Sequence, residues 1–157
     1  MAGADPHTIL HLRKWTIGYV SQFLRVIPRV PAIQVVMEPL RVRGASEKVS
    51  RVFAGELLTR LRIPERLWSL SPTTFSGGEQ QRINIARGFI ATYPVMLLDE
   101  PTASLDPVNS GTVVEIIKEA IGMGTSIIGI FHDESIRNRL ASRCVEIQAL
   151  NNHIGSE

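Results

Sequence analysis

The sequence predicts an α/β fold, a parallel sheet joined to a separate helical subdomain, on three observations. Residues 95–98 form an uninterrupted apolar run, the pattern of a parallel strand buried on both faces, and it ends at Asp99 and Glu100. After Pro107, apolar residues at helical spacing (Val113, Ile116, Ile117, Ala120, Ile121) are closed by Gly122 and Gly124 and followed by the β-branched run 126–131. Strand, helix, strand is a βαβ unit, so its strands run parallel with a right-handed crossover. Between these features and the N-terminus, Pro28, Pro31 and Pro39 break the chain before a new helical period starts at Ser46, as expected for a separate helical lobe.

In chain order, residues 1–6 are small and polar, and 8–15 are long enough for one or two helical turns. His7 and His11 have no evident partners in the sequence. Residues 17–20 read as a short strand leading into Ser21 and Gln22. The proline-punctuated stretch that follows cannot be one continuous helix. From Ser46, Val49, Val52, Phe53, Leu57, Leu58 and Leu61 recur at helical spacing, with Glu47, Lys48, Arg51, Glu56 and Arg60 opposite. That charged face is either solvated or a docking face for a partner. A second short helix is expected near Pro64, with the proline in its first turn. Another helix starts at Ser76, carries Ile83, Ala86, Phe89 and Ile90 on one side, and stops at Pro94. Residues 134–141 suit a helix, 144–148 alternate like a final strand, and the tail from 151 is weakly determined.

Chemistry concentrates in residues 75–107. Ser76 and Glu79 have capping-box spacing, with Gly77 and Gly78 between them. Glycines weaken a helix but let its backbone approach a ligand closely, and free N–H groups at a helix start suit a phosphate. Ser76, Gly77, Gly78, Glu79 and Gln80 therefore read either as an ordinary cap or as an anion seat. Two adjacent carboxylates at the end of a dry strand repel each other and call for a cation. The economical division gives Asp99 a magnesium ion and Glu100 the activation of a water. The alternative is a solvated turn before Pro101. The βαβ geometry also places His132 at the same sheet edge as Asp99 and Glu100.

Composition excludes more than it selects. The chain has 157 residues and a formal net charge of +2, with its arginines scattered, so no nucleic-acid footprint is indicated. One cysteine, Cys144, provides no disulfide framework, and no apolar run reaches membrane-spanning length. With no signal peptide evident, the expectation is a cytoplasmic protein without direct membrane insertion.

The order SGGEQ, then an apolar strand ending in LLDEP, then SLD, resembles the ATP-binding-cassette (ABC) ATPases from about residue 17 to 132. The resemblance implies a P-loop NTPase-like sheet with a helical subdomain, and ATP with Mg2+ as cofactors. It divides the chain into residues 1–24 (an N-terminal remnant and the Q-loop strand), 25–92 (the helical subdomain with the signature helix) and 93–157 (the α/β core). Ser76 to Gln80 correspond to the signature motif, which serves a partner subunit's ATP in trans. Glu100 and His132 correspond to the catalytic glutamate and switch histidine, Ser104 and Asp106 to the D-loop, and Asp99 with Gln22 to the metal-proximal pair. Gln22 lies in the Q-loop, which also reports to a partner. Within the family, residues 21–29, 64–68, 84–90 and 129–134 are similar to the L subunit of the phosphonate carbon–phosphorus lyase system. That likeness implies phosphonate breakdown towards ribose 1-methylphosphonate 5-triphosphate, beside other lyase subunits including a related cassette ATPase, or as a homodimer. An ABC transporter's ATPase and a truncated, non-catalytic interaction protein are the alternatives.

The run G-x-x-x-x-G-K-S/T, whose backbone and lysine cradle the β- and γ-phosphates in this family, does not occur in these residues. The domain therefore reads as incomplete, with weak Mg-ATP binding expected of the chain alone and with a gap in the parallel sheet that leaves strand edges open to pairing.

Overall fold

The computed structural model describes residues 5–146. Its α/β architecture holds three parallel strands, β1 (Ile17–Val20), β2 (Val95–Asp99) and β3 (Ser126–Ile130), in the spatial order β1-β2-β3. The registers Val20↔Leu98 and Asp99↔Ile130 bring all three carboxyl ends to one edge. The strands adjoin with no gap between them, and the outer edges of β1 and β3 have no partner strand among the described residues.

Helix α1 (Pro6–Trp15) precedes β1, and Asp5 caps it by accepting from the N–H groups of His7 and Thr8. The β1–β2 connection carries the helical lobe, α2 (Ala32–Val42) and α3 (Glu47–Arg60), and then α4 (Gly77–Phe89). Helix α5 (Pro107–Gly122) joins β2 to β3, and α6 (Glu134–Leu140) follows. Right-handed crossovers along a sheet that grows in one direction put α4 and α5 on the same face. Val20, Met96 and Leu98 are buried there with Ile83, Ile85, Ala86, Val113 and Ile117. The opposite face is uncovered among the described residues: Tyr19, Ile128 and Ile130 are 56%, 67% and 57% exposed.

The helix–strand contact is close because it uses glycine. A Cβ on Gly88 of α4 would lie 2.4 Å from Val20 Cγ2, and the β-branched valine has little freedom to retreat. Arg43, just past α2, ties the lobe to the core. Its guanidinium donates to the carbonyls of Lys14 (2.8 Å) and Thr92 (2.9 Å) and lies 4.2 Å from the Tyr93 ring centre.

The lobe departs from its sequence pattern in three places. Pro39 lies inside α2, where it removes one backbone bond. Burial of Ala32, Ile33, Val36 and Met37 in the preceding turns offsets that loss. In α3 the buried residues are Ser50, Ala54 and Leu58, while Val49, Val52 and Phe53 are about half exposed. Small side chains let α3 lie close to α2, so tertiary packing rotates the apolar stripe outward. Near Pro64 a single 3-10 turn forms, Glu65–Leu67, with the proline as its N-cap. Of the strand expected over 144–148, residues 144–146 are not in a strand, and 147–148 lie outside the described residues.

Candidate functional site

Each of the three strand ends delivers polar side chains to the common edge, Gln22 after β1, Asp99 and Glu100 at the end of β2, and His132 after β3. Glu100, immediately after β2, has φ +48, an uncommon conformation for a residue with a side chain, and its N–H donates to the carbonyl of Ile130 on β3 (3.1 Å). This left-handed turn, the strained type of backbone that clusters at functional sites, holds the carboxylate between two partners. Gln22 Nε2 donates to Glu100 Oε2 at 3.2 Å, and His132 Nε2 lies 2.6 Å from Glu100 Oε1. The Glu100 side chain is 17% exposed and that of His132 is 79% exposed, so the carboxylate sits inside a cleft while the imidazole stays open to solvent. Asp99 stands beside this group, with Tyr19 Oη 3.4 Å from its Oδ2, a long contact from the neighbouring strand. Gln22, Glu100, His132 and Asp99, picked separately in the sequence, thus share one edge.

The 76–80 turn is a separate construction. Ser76 caps α4, with Glu79 N–H donating to Ser76 Oγ (3.3 Å) and Ser76 N–H donating to Glu79 Oε2 (2.9 Å), so the capping box is complete. Ser76 Oγ also donates to Glu79 Oε2 at 2.7 Å. The Ser76 side chain, and then its backbone N–H, hold the Glu79 carboxyl below the usual carboxylate value. Gln80 turns back to the Phe75 carbonyl (3.0 Å). Helix geometry leaves the N–H groups of Gly77 and Gly78 without intrahelical acceptors, and a Cβ on Gly77 would meet nothing within 4 Å. No hydrogen bond joins this turn to Gln22, Asp99, Glu100 or His132 among the described residues. Its link to them is through the following loop: Gly78 packs on the carbonyl of Ser104.

Asp106 proves to be the N-cap of α5. It accepts from the N–H groups of Val108 (3.0 Å) and Asn109 (2.9 Å) and from the Asn109 side chain, and the Asn109 N–H is the main cause of its lowered pKa. Asp133 caps α6 similarly, its pKa lowered first by the Ser135 hydroxyl and then by the Ile136 N–H. A carboxyl whose folded pKa lies below its unfolded value stabilises fully above the unfolded value, about 3.9 for Asp, and loses that effect as pH falls through the folded one. Melting temperature is therefore expected to drop as pH falls from about 5 to about 3, and less steeply in a variant carrying Asp106→Asn and Asp133→Asn. Equal slopes would remove these caps as the cause.

Among the described residues no three His, Cys, Asp or Glu side chains form a metal cluster. Magnesium needs less, since it takes one or two protein oxygens and draws the rest from water and phosphates. The Asp99 carboxylate and the Gln22 amide oxygen are hard oxygen donors of that kind, and they fit the ion. Gln81, one residue past the predicted turn, is a buried polar side chain that sequence reasoning did not single out.

The family profile described as "ABC transporter" matches residues 2–103. The arginine transport ATP-binding protein ArtP of Haemophilus influenzae is 38% identical over 148 residues, covering 94% of this chain and 60% of that protein. The glutamine transport ATP-binding protein GlnQ of Escherichia coli is 34% identical, covering 91% of this chain and 60% of that protein. Among solved structures, the post-hydrolysis dimer of the ATP-binding cassette MJ0796 bound to ADP and Pi matches with TM-score 0.79 and 30% identity, covering 87% of this chain and 61% of that one. The chain thus spans about 60% of the length of these relatives.

Proposed function

The chain belongs to the ABC transporter family, and from that premise we propose that it is the water-activating part of an ABC transporter's ATP-hydrolysing subunit. The observation that carries this reading is the Glu100 carboxylate suspended between Gln22 and His132 at the ends of three parallel strands. In this reading Glu100 accepts the proton of a water whose oxygen attacks the γ-phosphorus of ATP. The bond from that phosphorus to the β,γ-bridging oxygen breaks, and its electron pair leaves on ADP. His132 holds the carboxylate on one side and Gln22 on the other, which fixes the direction of proton acceptance. Magnesium, when bound near Asp99 and Gln22, would neutralise charge on the phosphates. Ser76 and the N–H groups of Gly77 and Gly78 face a second subunit's phosphates, so two copies, or this chain and a related cassette, complete each other's sites. The solved dimer of MJ0796 supports that arrangement.

Transport is favoured over phosphonate breakdown because the related proteins named above are arginine and glutamine transport ATP-binding proteins, and neither of them is a lyase subunit. The relatives' cargoes differ, including the lipoprotein-releasing system protein LolD of Maricaulis maris at 36% identity. Cargo choice is accordingly assigned to the membrane partner. That partner fits the groove of about 470 Å³ between the loop after Gln22 and the lobe, lined by Val26, Ile27, Val30, Met37, Arg41 and Glu47. Ile27 in its lining and Phe23 in the same loop are more than 70% exposed. Affinity purification of the native protein from detergent-solubilised membranes should recover an integral membrane permease in stoichiometric amount. Recovery of only soluble lyase-type subunits would replace this reading with the phosphonate one.

A further inference from the structure

Gln81 occupies the first turns of α4, yet its side chain faces inward and is only 4% exposed. Its Nε2 donates to the carbonyl of Pro101 at 3.1 Å, a buried bond between residues twenty apart in sequence. Pro101 is fully buried and directly follows the left-handed Glu100. Three residues before Gln81, Gly78 lies so near the same loop that a Cβ there would be 3.1 Å from the carbonyl oxygen of Ser104. The α4 end therefore grips the 101–104 loop at both ends, by a hydrogen bond at Pro101 and by backbone contact at Ser104. A neutral amide suits the first grip, since it satisfies the buried carbonyl without bringing a charge out of water.

We infer that Gln81 is a positioning residue that fastens the start of α4 to the loop after Glu100, so that the 76–80 turn and Ser104 move as one body. Its consequence for catalysis rests on the proposed function: any motion that carries the turn onto a second subunit's phosphates carries the loop and the Glu100 backbone with it. The joint itself is testable without nucleotide, so its failure would leave the proposed function standing.

The test is hydrogen exchange on the chain carrying Gln81→Met, which keeps the volume and removes the donor. The reporters are the Glu79 and Gln80 amides, bonded to Ser76, and the Ala103 and Leu105 amides, bonded to Glu100 and Thr102. Both pairs should exchange about fivefold to tenfold faster together, as for loss of one buried hydrogen bond, while strands β2 and β3 keep their rates. Acceleration at one pair alone, or a uniform rise across the molecule, would overturn the inference. Gly78→Ala provides an independent second perturbation, because its Cβ pushes on Ser104, and it should accelerate the same two segments. An unchanged 103–105 segment in that variant would also overturn the inference.

Discussion

Replacing Glu100 by Gln is expected to lower turnover by roughly 10²- to 10⁴-fold in an assembled ATPase that contains a phosphate cradle, with little change in KM. The substitution keeps the side chain's shape, and its amide still offers an oxygen to Gln22. What it removes is the negative charge that, in the proposed reading, accepts the water's proton, an interaction made mainly in the transition state. Among the described residues, Glu100 is the carboxylate that both Gln22 and His132 contact, whereas the contact of Asp99 is a long one from Tyr19. Single-turnover hydrolysis with nucleotide binding measured alongside separates the two effects. Unchanged kcat would mean that the water is activated elsewhere.

Much of this site was legible because local rules dictate it. The capping box at Ser76 and Glu79 follows from residue type and spacing, and the structure closes it as drawn. His132 reaches Glu100 because a βαβ unit makes its two strands parallel, which brings the carboxyl ends of β2 and β3 together. Other features depend on packing that one segment does not reveal. Helical periodicity in α3 marks an apolar stripe, but the neighbour it meets decides which edge is buried, and the small Ser50 and Ala54 won over Val49 and Phe53. The burial of Gln81 depends on a carbonyl twenty residues away, and the left-handed turn at Glu100 on a bond to β3. Asp106 carried a D-loop assignment by resemblance, yet its visible work is to cap α5, a role that Asp followed by Pro at a helix start does signal.

The 157-residue chain is expected to bind Mg-ATP weakly by itself. Its described residues bring Gln22, Asp99, Glu100 and His132 to one sheet edge, whereas the run G-x-x-x-x-G-K-S/T that cradles β- and γ-phosphates does not occur in the sequence. Each charge-assisted hydrogen bond to phosphate is worth about 1.5–3 kcal/mol, so losing even two lowers affinity by roughly 10²-fold or more. The most direct measurement is a calorimetric titration of the isolated chain with Mg-ATP. Absence of submicromolar binding, restored when a polypeptide carrying the phosphate loop is added, is the predicted result. Submicromolar binding by the chain alone would contradict the account, because these residues would then hold the phosphates without any cradle from outside.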